Sequence, residues 1–569
     1  MSTVAGGQAY GDASARGSFW NRQLSHYPDT TRRTTYLAIT VMATVVLYYE
    51  LYVQGSVATK IISDFGFTFT QFVFVLVIGN LVGAFASLGA GLADRWGRAN
   101  LVVGGLLLTG LLTCFALPNA SSRGMYTFFF ALVSIVEGMA LVATPALIRD
   151  FSPQIGRASA MAFWTMGPVL GSLLVTEVSS NTLDSHSDWQ FQFRVAGVVG
   201  LVVFAIAAIG LRELSPRLRD QLMVSMRDRA LIEARASGIS EKRLRENHWK
   251  QMLRADIVVP ALAISVFLLL YYIFVAFLVV YFATVFGYSE HRANALANWY
   301  WVANALGLLV AGLLSDRLRV RKPLMVVGTV LSLVAAAIFA TRATHPDTSY
   351  STFAWTFVLG AVGGGTAYVA WMAAFTETVE KVNPAATATG LAVWGWILRL
   401  VVTASFALLP VVVPATSTLV DKGERVGEIV ATHPQEVQVL GVVDPATLSA
   451  AGTGDKGAQA KAVAQISQKL SVPPQTAAAR LAAVAKVPRE DIAYLAANAS
   501  DVQKAQKDNP GQWRTWWWIC FAGQLCLLPA ALLLTGRWSP RKAREDEAEH
   551  EAMVQRELAA LERGGARSA

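Results

Sequence analysis

This chain of 569 residues is poor in charge and in cysteine. Asp, Glu, Lys and Arg make up only 15% of it, whereas a soluble globular domain carries about 25%. Its three cysteines, Cys114, Cys520 and Cys526, lie in apolar stretches without CxxC or histidine spacing, so we expect neither a disulfide nor a metal site. No Ser/His/Asp, metal-binding or phosphate-binding constellation is found, which argues against an enzyme and against a bound cofactor.

Hydrophobic residues dominate instead. They make up 54% of the chain, and the mean hydropathy is +0.42. Apolar runs of about 20 residues recur, each long enough to cross a bilayer as a helix. The net charge of +9 comes from cations in loops and tails, which the positive-inside rule explains better than nucleic-acid binding. We therefore expect an all-α membrane protein whose surroundings are the lipid bilayer.

The apolar runs fall into two sets separated by a polar linker. Basic residues near the ends of the runs place both termini in the cytoplasm of a cell-membrane protein. The predicted segments are a cytoplasmic tail (1–35), a six-helix half (36–211), a cytoplasmic linker (212–256), helices seven to eleven (257–413), an extracytoplasmic helical insertion (414–511), helix twelve (512–536) and a cytoplasmic tail (537–569).

A charged turn between two apolar runs occurs twice. The first copy runs from Ala90 to Arg98, and the second returns 222 residues later, from Gly312 to Lys322. A short loop that contains Asp and Arg cannot lie in hydrocarbon, so each copy closes a membrane hairpin on the cytoplasmic side. The residues of interest are Ala90, Leu92, Asp94, Arg95, Gly97 and Arg98 in the first copy, and Gly312, Asp316 and Arg317 in the second.

Other pairs repeat at nearly the same offset. Tyr48-Tyr49 recurs as Tyr271-Tyr272, 223 residues on, and Phe65-Gly66 recurs as Phe286-Gly287, 221 residues on. Each dipeptide alone is a weak signal, but a shared offset indicates an internal duplication. The chain is thus expected to contain two related six-helix halves.

The first turn resembles the signature loop of the major facilitator superfamily, G-x-L-A-D-R-x-G-R-K, with Ala90 and Ala99 at the first and last positions. The resemblance implies twelve membrane helices in two pseudo-symmetric six-helix halves, with a substrate site between them. It also implies that Asp94, Arg95 and Arg98 latch the halves together at the cytoplasmic mouth, and that Asp316 and Arg317 repeat this role.

Further stretches are similar to particular branches of the family. The run from Glu50 to Gly66 resembles helix 1 of metabolite and aromatic-acid proton symporters. Asp150, followed by Pro153 and Arg157, resembles the E-x-x-P-x-x-x-R turn after helix 4 in the same symporters and in sugar porters, so Arg149, Asp150 and Arg157 are expected to join the charge network of the signature loop. The segment 213–217 (ELSPR) is similar to their P-E-S-P-R motif after helix 6.

Three ionisable residues interrupt predicted membrane helices: Glu50, Glu137 and Arg399. By the family resemblance, the helices of both glutamates line the central cavity. A carboxyl group in a low-dielectric cavity binds its proton more tightly than in water, as proton coupling near neutral pH requires. Alternatively, the glutamates only form hydrogen bonds to neighbouring helices. Arg399 stays charged and needs an anion, either a substrate carboxylate or one of these glutamates.

Aromatic residues accompany these charges at Tyr271, Tyr272, Trp394 and Trp396. They either line a substrate cavity or pack between helices. We expect a monomeric secondary transporter that works by alternating access and carries a small organic acid or polar metabolite together with a proton. The segment 167–171 (GPVLG) is similar to the signature of drug/proton antiporters, which leaves an exporter as the alternative. A non-transporting receptor is a third interpretation.

Overall fold

The computed structural model describes residues 22–87, 97–152, 163–215, 218, 248–318, 320–383 and 387–536, together with short pieces of the C-terminal tail. Within these residues the protein is a helical bundle with one pair of two-residue strands. The first half contains β1 (Gln23–Leu24), α1 (Thr30–Ser56), α2 (Ala58–Phe65), α3 (Phe69–Ala86), α4 (Arg98–Leu111, extended by a π-helical turn Leu112–Ala116), α5 (Arg123–Phe151), α6 (Gly167–Thr182), α7 (Trp189–Gly210) and β2 (Glu213–Leu214).

The second half repeats this plan. It contains α8 (His248–Met252), α9 (Ala255–Phe267), α10 (Leu269–Phe286), α11 (Glu290–Leu318), α12 (Lys322–Arg342), α13 (Tyr350–Val382) and α14 (Thr387–Val412), and closes with α21 (Arg489–Leu525) and α22 (Leu527–Ala530).

Ten helices of the described chain are long and apolar enough to cross a membrane, with α9 and α10 counted together as one span of 32 residues. The ten do not include α6 and α21, which stand where spans five and twelve are predicted. Of α6 the structure describes 16 residues, and α21 carries a polar outer part.

Repeated sequence pairs correspond to repeated helix ends. Gly66 ends α2 with φ 59°, and Gly287 ends α10 with φ 64°. A left-handed residue at this position lets the chain leave a helix while its amide bonds the last carbonyls, and glycine adopts it without strain. The sequence repeat Phe-Gly therefore marks the same turn in both halves. Next to the first copy, Thr68 and Gln71 form a reciprocal capping box that starts α3.

Residues 414–511 form a separate helical lobe between α14 and the membrane part of α21. Its helices are α15 (Pro414–Thr418, followed by a π-helical turn Leu419–Gly423), α16 (Glu424–Thr432), α17 (Pro434–Val442), α18 (Pro445–Gly452), α19 (Lys456–Leu470) and α20 (Pro474–Val484). Two small hydrophobic clusters of its own hold it together. The predicted boundary at residue 511 falls inside α21, because this helix runs without a break from the lobe into the bundle. We call the end of the bundle that carries the lobe the insertion end.

The base of the lobe is fixed to the second half. The Thr416 hydroxyl donates to Asn509 Oδ1 (2.7 Å) and accepts from Trp513 Nε1 (2.8 Å). Asn509 in turn donates to the carbonyl of Thr284, near the end of α10 (3.2 Å). Since these groups are buried, the lobe and the second half move as one body.

The first described residues of the N-terminal segment pair with the end of the first half. β1 and β2 form a parallel pair with Gln23 opposite Glu213. The buried Arg22 guanidinium donates to the carbonyl of Ala208 at the end of α7 (2.5 Å), where cations are favoured by the helix dipole. This contact holds the start of the linker against the first half.

Candidate functional site

Tyrosines from both halves meet in the middle of the bundle. Tyr48 and Tyr52 come from α1, with ring centroids 5.4 Å apart, and Tyr271 and Tyr272 come from α10, 5.2 Å apart. Tyr52 lies within electrostatic range of Tyr48 and of both α10 tyrosines. All four are half-buried although they belong to central turns of long helices. Partial exposure at this depth means that they line an internal cleft between the halves.

Arg399 of α14 lies at this cleft. Its Nη1 donates to the Ser87 hydroxyl at the end of α3, 2.6 Å away and in the other half. The guanidinium is half-buried and within electrostatic range of Tyr48, Tyr272 and Glu137. Ser87 was not anticipated from the sequence, because a lone serine in an apolar run carries no signal of its own.

Glu137 of α5 lies behind the tyrosines. It is 1% exposed, and neither carboxyl oxygen has a hydrogen-bond partner. It is within electrostatic range of Tyr48, Tyr52 and Arg399. An acid with no partner in the middle of a membrane bundle is costly unless it binds a proton.

Glu50 lies deeper in the first half than the cleft. It is 1% exposed, and its carboxyl packs against Gly200 of α7, where a Cβ would overlap its Oε1. The Thr109 hydroxyl of α4 lies nearby and donates to the carbonyl of Gly105 (3.0 Å). Both oxygens of Glu50 lack a hydrogen-bond partner, and Glu137 is within electrostatic range. The structure thus separates one acid near the cleft from one inside the half.

The two tryptophans of α14 have different surroundings. Trp394 packs on Trp371 (5.3 Å between ring centroids) and on Tyr368 (6.3 Å), and its buried Nε1 has no hydrogen-bond partner. Trp396 packs edge-on against Phe85 of the first half, at 5.8 Å. Tyr368, which the sequence did not single out, is within electrostatic range of Tyr48 and Tyr272 and extends the group of tyrosines.

A small cavity continues the cleft between α1, α6, α10 and α11. Its walls combine aromatic rings with hydroxyl and amide groups, and include Tyr52, Ser172, Thr176, Asn294 and Trp301. The indole of Trp301 packs on Tyr271 at 5.2 Å. The buried polar hydrogens of Trp301 Nε1 and the Tyr271 hydroxyl have no acceptor among the described residues. The cavity therefore offers hydrogen-bond donors to a ligand.

Above the cavity, the halves are joined at the insertion end. Glu290, the first residue of α11, is 8% exposed. It accepts a hydrogen bond from the Thr59 hydroxyl and one from the Lys60 amide (3.3 Å), and it pairs with Lys60 Nζ at 3.4 Å. Three contacts from one carboxylate thus tie the second half to α2 of the first.

The same face of α11 continues this contact one and two turns further on. Asn294 donates to the carbonyl of Ser56 at the end of α1 (3.0 Å). Asn298 donates to Glu177 Oε2 (2.8 Å) and to the Ser180 hydroxyl (3.0 Å) of α6. Polar residues four apart lie on one face of a helix, so this spacing in the sequence is a signal that could have identified the interface. We call Glu290, Asn294 and Asn298 the α11 ladder.

The lobe adds one more contact between the halves. Asp421 Oδ1 accepts the backbone amide of Phe69, the first residue of α3, at 2.7 Å. A carboxylate is favoured there by the free amides and the dipole of a helix N-terminus. Partial burial raises the pKa of Asp421 above its ordinary value of 3.8, while the Phe69 amide and Lys422 oppose the rise.

At the opposite end, the described part of the signature loop bonds within the first half. Arg98 Nη1 lies 2.7 Å from both carboxylate oxygens of Asp150, and the Arg98 amide donates to Glu213 Oε2 at 2.6 Å. Gly97 has φ 91°, and Glu213 packs where its Cβ would be. Glu213, within the segment 213–217, therefore anchors the loop. Ala90, Leu92, Asp94, Arg95 and Arg157 and the side chain of Arg149 lie outside the described residues.

The second copy of the loop is described almost completely. Asp316 is exposed and pairs with Arg321 at 2.9 Å, and Arg321 also pairs with Glu377 of α13 at 3.1 Å. Burial lowers the pKa of Arg321, but Glu377 and Asp316 outweigh it and leave the pKa above its ordinary value. Gly312 and Arg317 lie in the last turns of α11, and Arg317 is exposed.

Comparisons with known proteins agree with this architecture. A bacterial homolog of the human lysosomal transporter Spinster, in an inward-facing and occupied conformation, aligns over 90% of this chain and 100% of its own, with a TM-score of 0.56 and 16% identity. A D-xylose–proton symporter aligns over 66% of this chain and 89% of its own, with a TM-score of 0.52 and 14% identity. The fold is thus that of a multi-pass membrane transporter.

A family model for the Major Facilitator Superfamily matches residues 40–398, well over half of the chain. The chain therefore belongs to the major facilitator superfamily, as the signature loop predicted. A curated relative, the glycine betaine/proline/ectoine/pipecolic acid transporter of Dickeya dadantii (strain 3937), is 24% identical over 259 residues. That alignment covers 42% of this chain and 49% of the relative, so this chain spans about half the length of the curated relative it matches.

Proposed function

We propose that this protein is a proton-coupled symporter that carries a small organic acid or similar polar metabolite across the cell membrane. Arg399 receives the carboxylate of the substrate, and the group of tyrosines surrounds the rest of it. Glu50 and Glu137 carry the coupled proton. Both termini lie in the cytoplasm, the lobe lies outside, and the protein works as a monomer.

The observation that carries this proposal is the pair of buried acids without hydrogen-bond partners, beside a single arginine of the other half. A carboxylate that stays charged in this position would lack any compensating group, whereas a carboxyl that gains and loses a proton needs none in its neutral form. Arg399 cannot lose its charge, and its described side-chain hydrogen bond goes to a neutral hydroxyl. A substrate carboxylate supplies the missing anion.

The contacts between the halves support an alternating-access cycle. The α11 ladder and Asp421 join the halves at the insertion end, where opening would separate both sets of contacts. At the other end, Arg98 bonds within its own half. We propose that this arrangement is closed to the outside, and that Asp94 and Arg95, repeated by Asp316 and Arg317, close the cytoplasmic mouth in the opposite state.

The relatives are consistent with a carboxylate substrate and with proton coupling. The compounds in the name of the Dickeya transporter each bear a carboxylate, and the xylose carrier is named as a proton symporter. A drug/proton antiporter, the alternative from the sequence, would move protons in the opposite direction from its substrate. The direction of proton movement therefore distinguishes the two.

The experiment uses the purified protein in liposomes with a pH-sensitive dye outside. Adding a transported acid outside should alkalinise the outer medium in a symporter and acidify it in an antiporter. Glu137→Gln should abolish the signal while leaving the fold intact. Glu424→Gln, an exposed glutamate of the lobe, is the matched control and should leave the signal unchanged. Acidification, or a full signal in Glu137→Gln, would reject the proposal.

A further inference from the structure

We propose that the substrate is a small zwitterion that bears an alkylated ammonium group. Its carboxylate binds Arg399, and its cationic end binds the faces of the tyrosines on α1 and α10. This inference rests on the proposed function and specifies the chemical class of the substrate.

One end of the cleft is built for a carboxylate. Arg399 presents a planar fork of five N–H donors, of which Nη1 is used by Ser87. Among the described residues no acid forms an ion pair with Arg399, and Glu137 lies within electrostatic range without bonding to it. The remaining donors suit the two oxygens of a carboxylate, which arginine binds in a bidentate manner.

The rest of the cleft is built for a cation without N–H donors to spare. Tyr48 and Tyr52 from the first half and Tyr271 and Tyr272 from the second approach one another across the cleft. An alkylated ammonium group is attracted to the electron-rich faces of aromatic rings, and an enclosed set of rings is the usual way in which proteins bind it. The four tyrosines surround a volume that contacts both halves.

The charge balance favours a cation over a neutral group at that end. Glu137 is buried directly behind Tyr48 and Tyr52 and is the acid within electrostatic range of both rings. Its oxygens accept no hydrogen bond, so its field is not cancelled by a local donor. A positive group in front of the tyrosines is stabilised by this acid whenever it is ionised, whereas a neutral alkyl group gains nothing from it.

The same balance argues against a dicarboxylate. Arg399 is the cation that acts on these tyrosines in the described residues, and a second carboxylate would lie against ring faces and near Glu137. Both contacts are repulsive. A molecule with one carboxylate and one ammonium group, separated by one or two carbons, complements the two ends.

The test compares glycine betaine with 3,3-dimethylbutyrate, which has the same shape and the same carboxylate but a neutral carbon in place of the nitrogen. Binding to the purified protein and uptake into liposomes are measured for both. We expect glycine betaine to bind at least tenfold more tightly, because a desolvated cation–π contact is worth about that factor or more. Equal binding, tighter binding of the neutral analogue, or no binding of glycine betaine would overturn the inference.

Two variants of Tyr52 locate the effect. Tyr52→Phe keeps the ring face and should preserve the preference for glycine betaine over its analogue. Tyr52→Leu removes the face and should reduce that preference about tenfold. If both variants keep the preference, or Tyr52→Phe loses it as completely as Tyr52→Leu, the tyrosine face is not the cation site.

The outcomes separate this inference from the proposed function. Uptake of 3,3-dimethylbutyrate with alkalinisation of the outer medium, and without any preference for glycine betaine, would retain the proton symporter and reject the zwitterion. Transport of glycine betaine without proton movement would retain the zwitterion and reject proton coupling.

Discussion

Replacing Glu290 by alanine should open the insertion end of the bundle. The carboxylate is 8% exposed and links the second half to Thr59 and Lys60 of the first. A hydrogen bond to a charged group contributes about 1.5–3 kcal/mol, but burial of the carboxylate offsets part of this. Lys60 is about one-third exposed, so its ion pair is screened and adds little.

A net loss of about 2 kcal/mol is therefore expected for the closed state, since the contacts across the halves exist only while they touch. That corresponds to a roughly thirtyfold change in the ratio of open to closed molecules. The measurement is the distance distribution between spin labels at Ser121 and Asp347, two exposed loop residues at the insertion end, one in each half. The long-distance population should grow by this factor in Glu290→Ala.

Asp256→Asn is the matched control. It breaks an exposed ion pair with Arg254 (3.0 Å) that lies entirely within the second half, and it should leave the distances unchanged. If Glu290→Ala leaves the label distances as they are in the wild type, or shortens them, the α11 ladder does not hold the halves together and the reasoning fails.

Two further perturbations follow from local geometry. Gly200→Ala places a methyl group on the Glu50 carboxyl and should destabilise the detergent-solubilised protein by about 1–3 kcal/mol, whereas Gly104→Ala, which meets open space, should melt like the wild type. Equal melting of the two would mean that Glu50 is not packed against α7. Asp421→Asn keeps an oxygen for the Phe69 amide but removes the charge. Because partial burial raises the pKa of Asp421, its protonated form is favoured in the folded protein, so the wild type should gain stability relative to Asp421→Asn as the pH falls through that raised pKa towards 3.8. A difference in melting temperature that is independent of pH would contradict this.

The fold was predictable because its signals are local or repeated. Runs of apolar residues indicate membrane helices wherever they occur, and the duplicated charged turn indicates two halves without reference to any contact. Even so, the boundary at residue 511 was misplaced. Polar residues such as Asn498 and Asp501 end the apolar pattern of the span, but they do not end α21, which the lobe supports from outside.

The site was predictable only in part. The sequence identifies Glu50, Glu137 and Arg399 because charge within an apolar run is conspicuous. It does not say which way each side chain points, since the rotation of a helix about its axis is set by packing against its neighbours. The absence of a side chain at Gly200 turns Glu50 into the first half, and that requires the position of α7 to be known. Tyr52 and Ser87 were missed because tyrosine and serine within a helix have no distinguishing pattern.

The central claim is that a buried acid couples the transport of the substrate to the proton gradient. It is tested most directly by measuring whether liposomes with a more acidic exterior accumulate the transported acid above its outside concentration. The account predicts accumulation by the wild type, its collapse on addition of a protonophore, and mere equilibration by Glu137→Gln. Accumulation that persists without the gradient, or equal accumulation by Glu137→Gln, would contradict it.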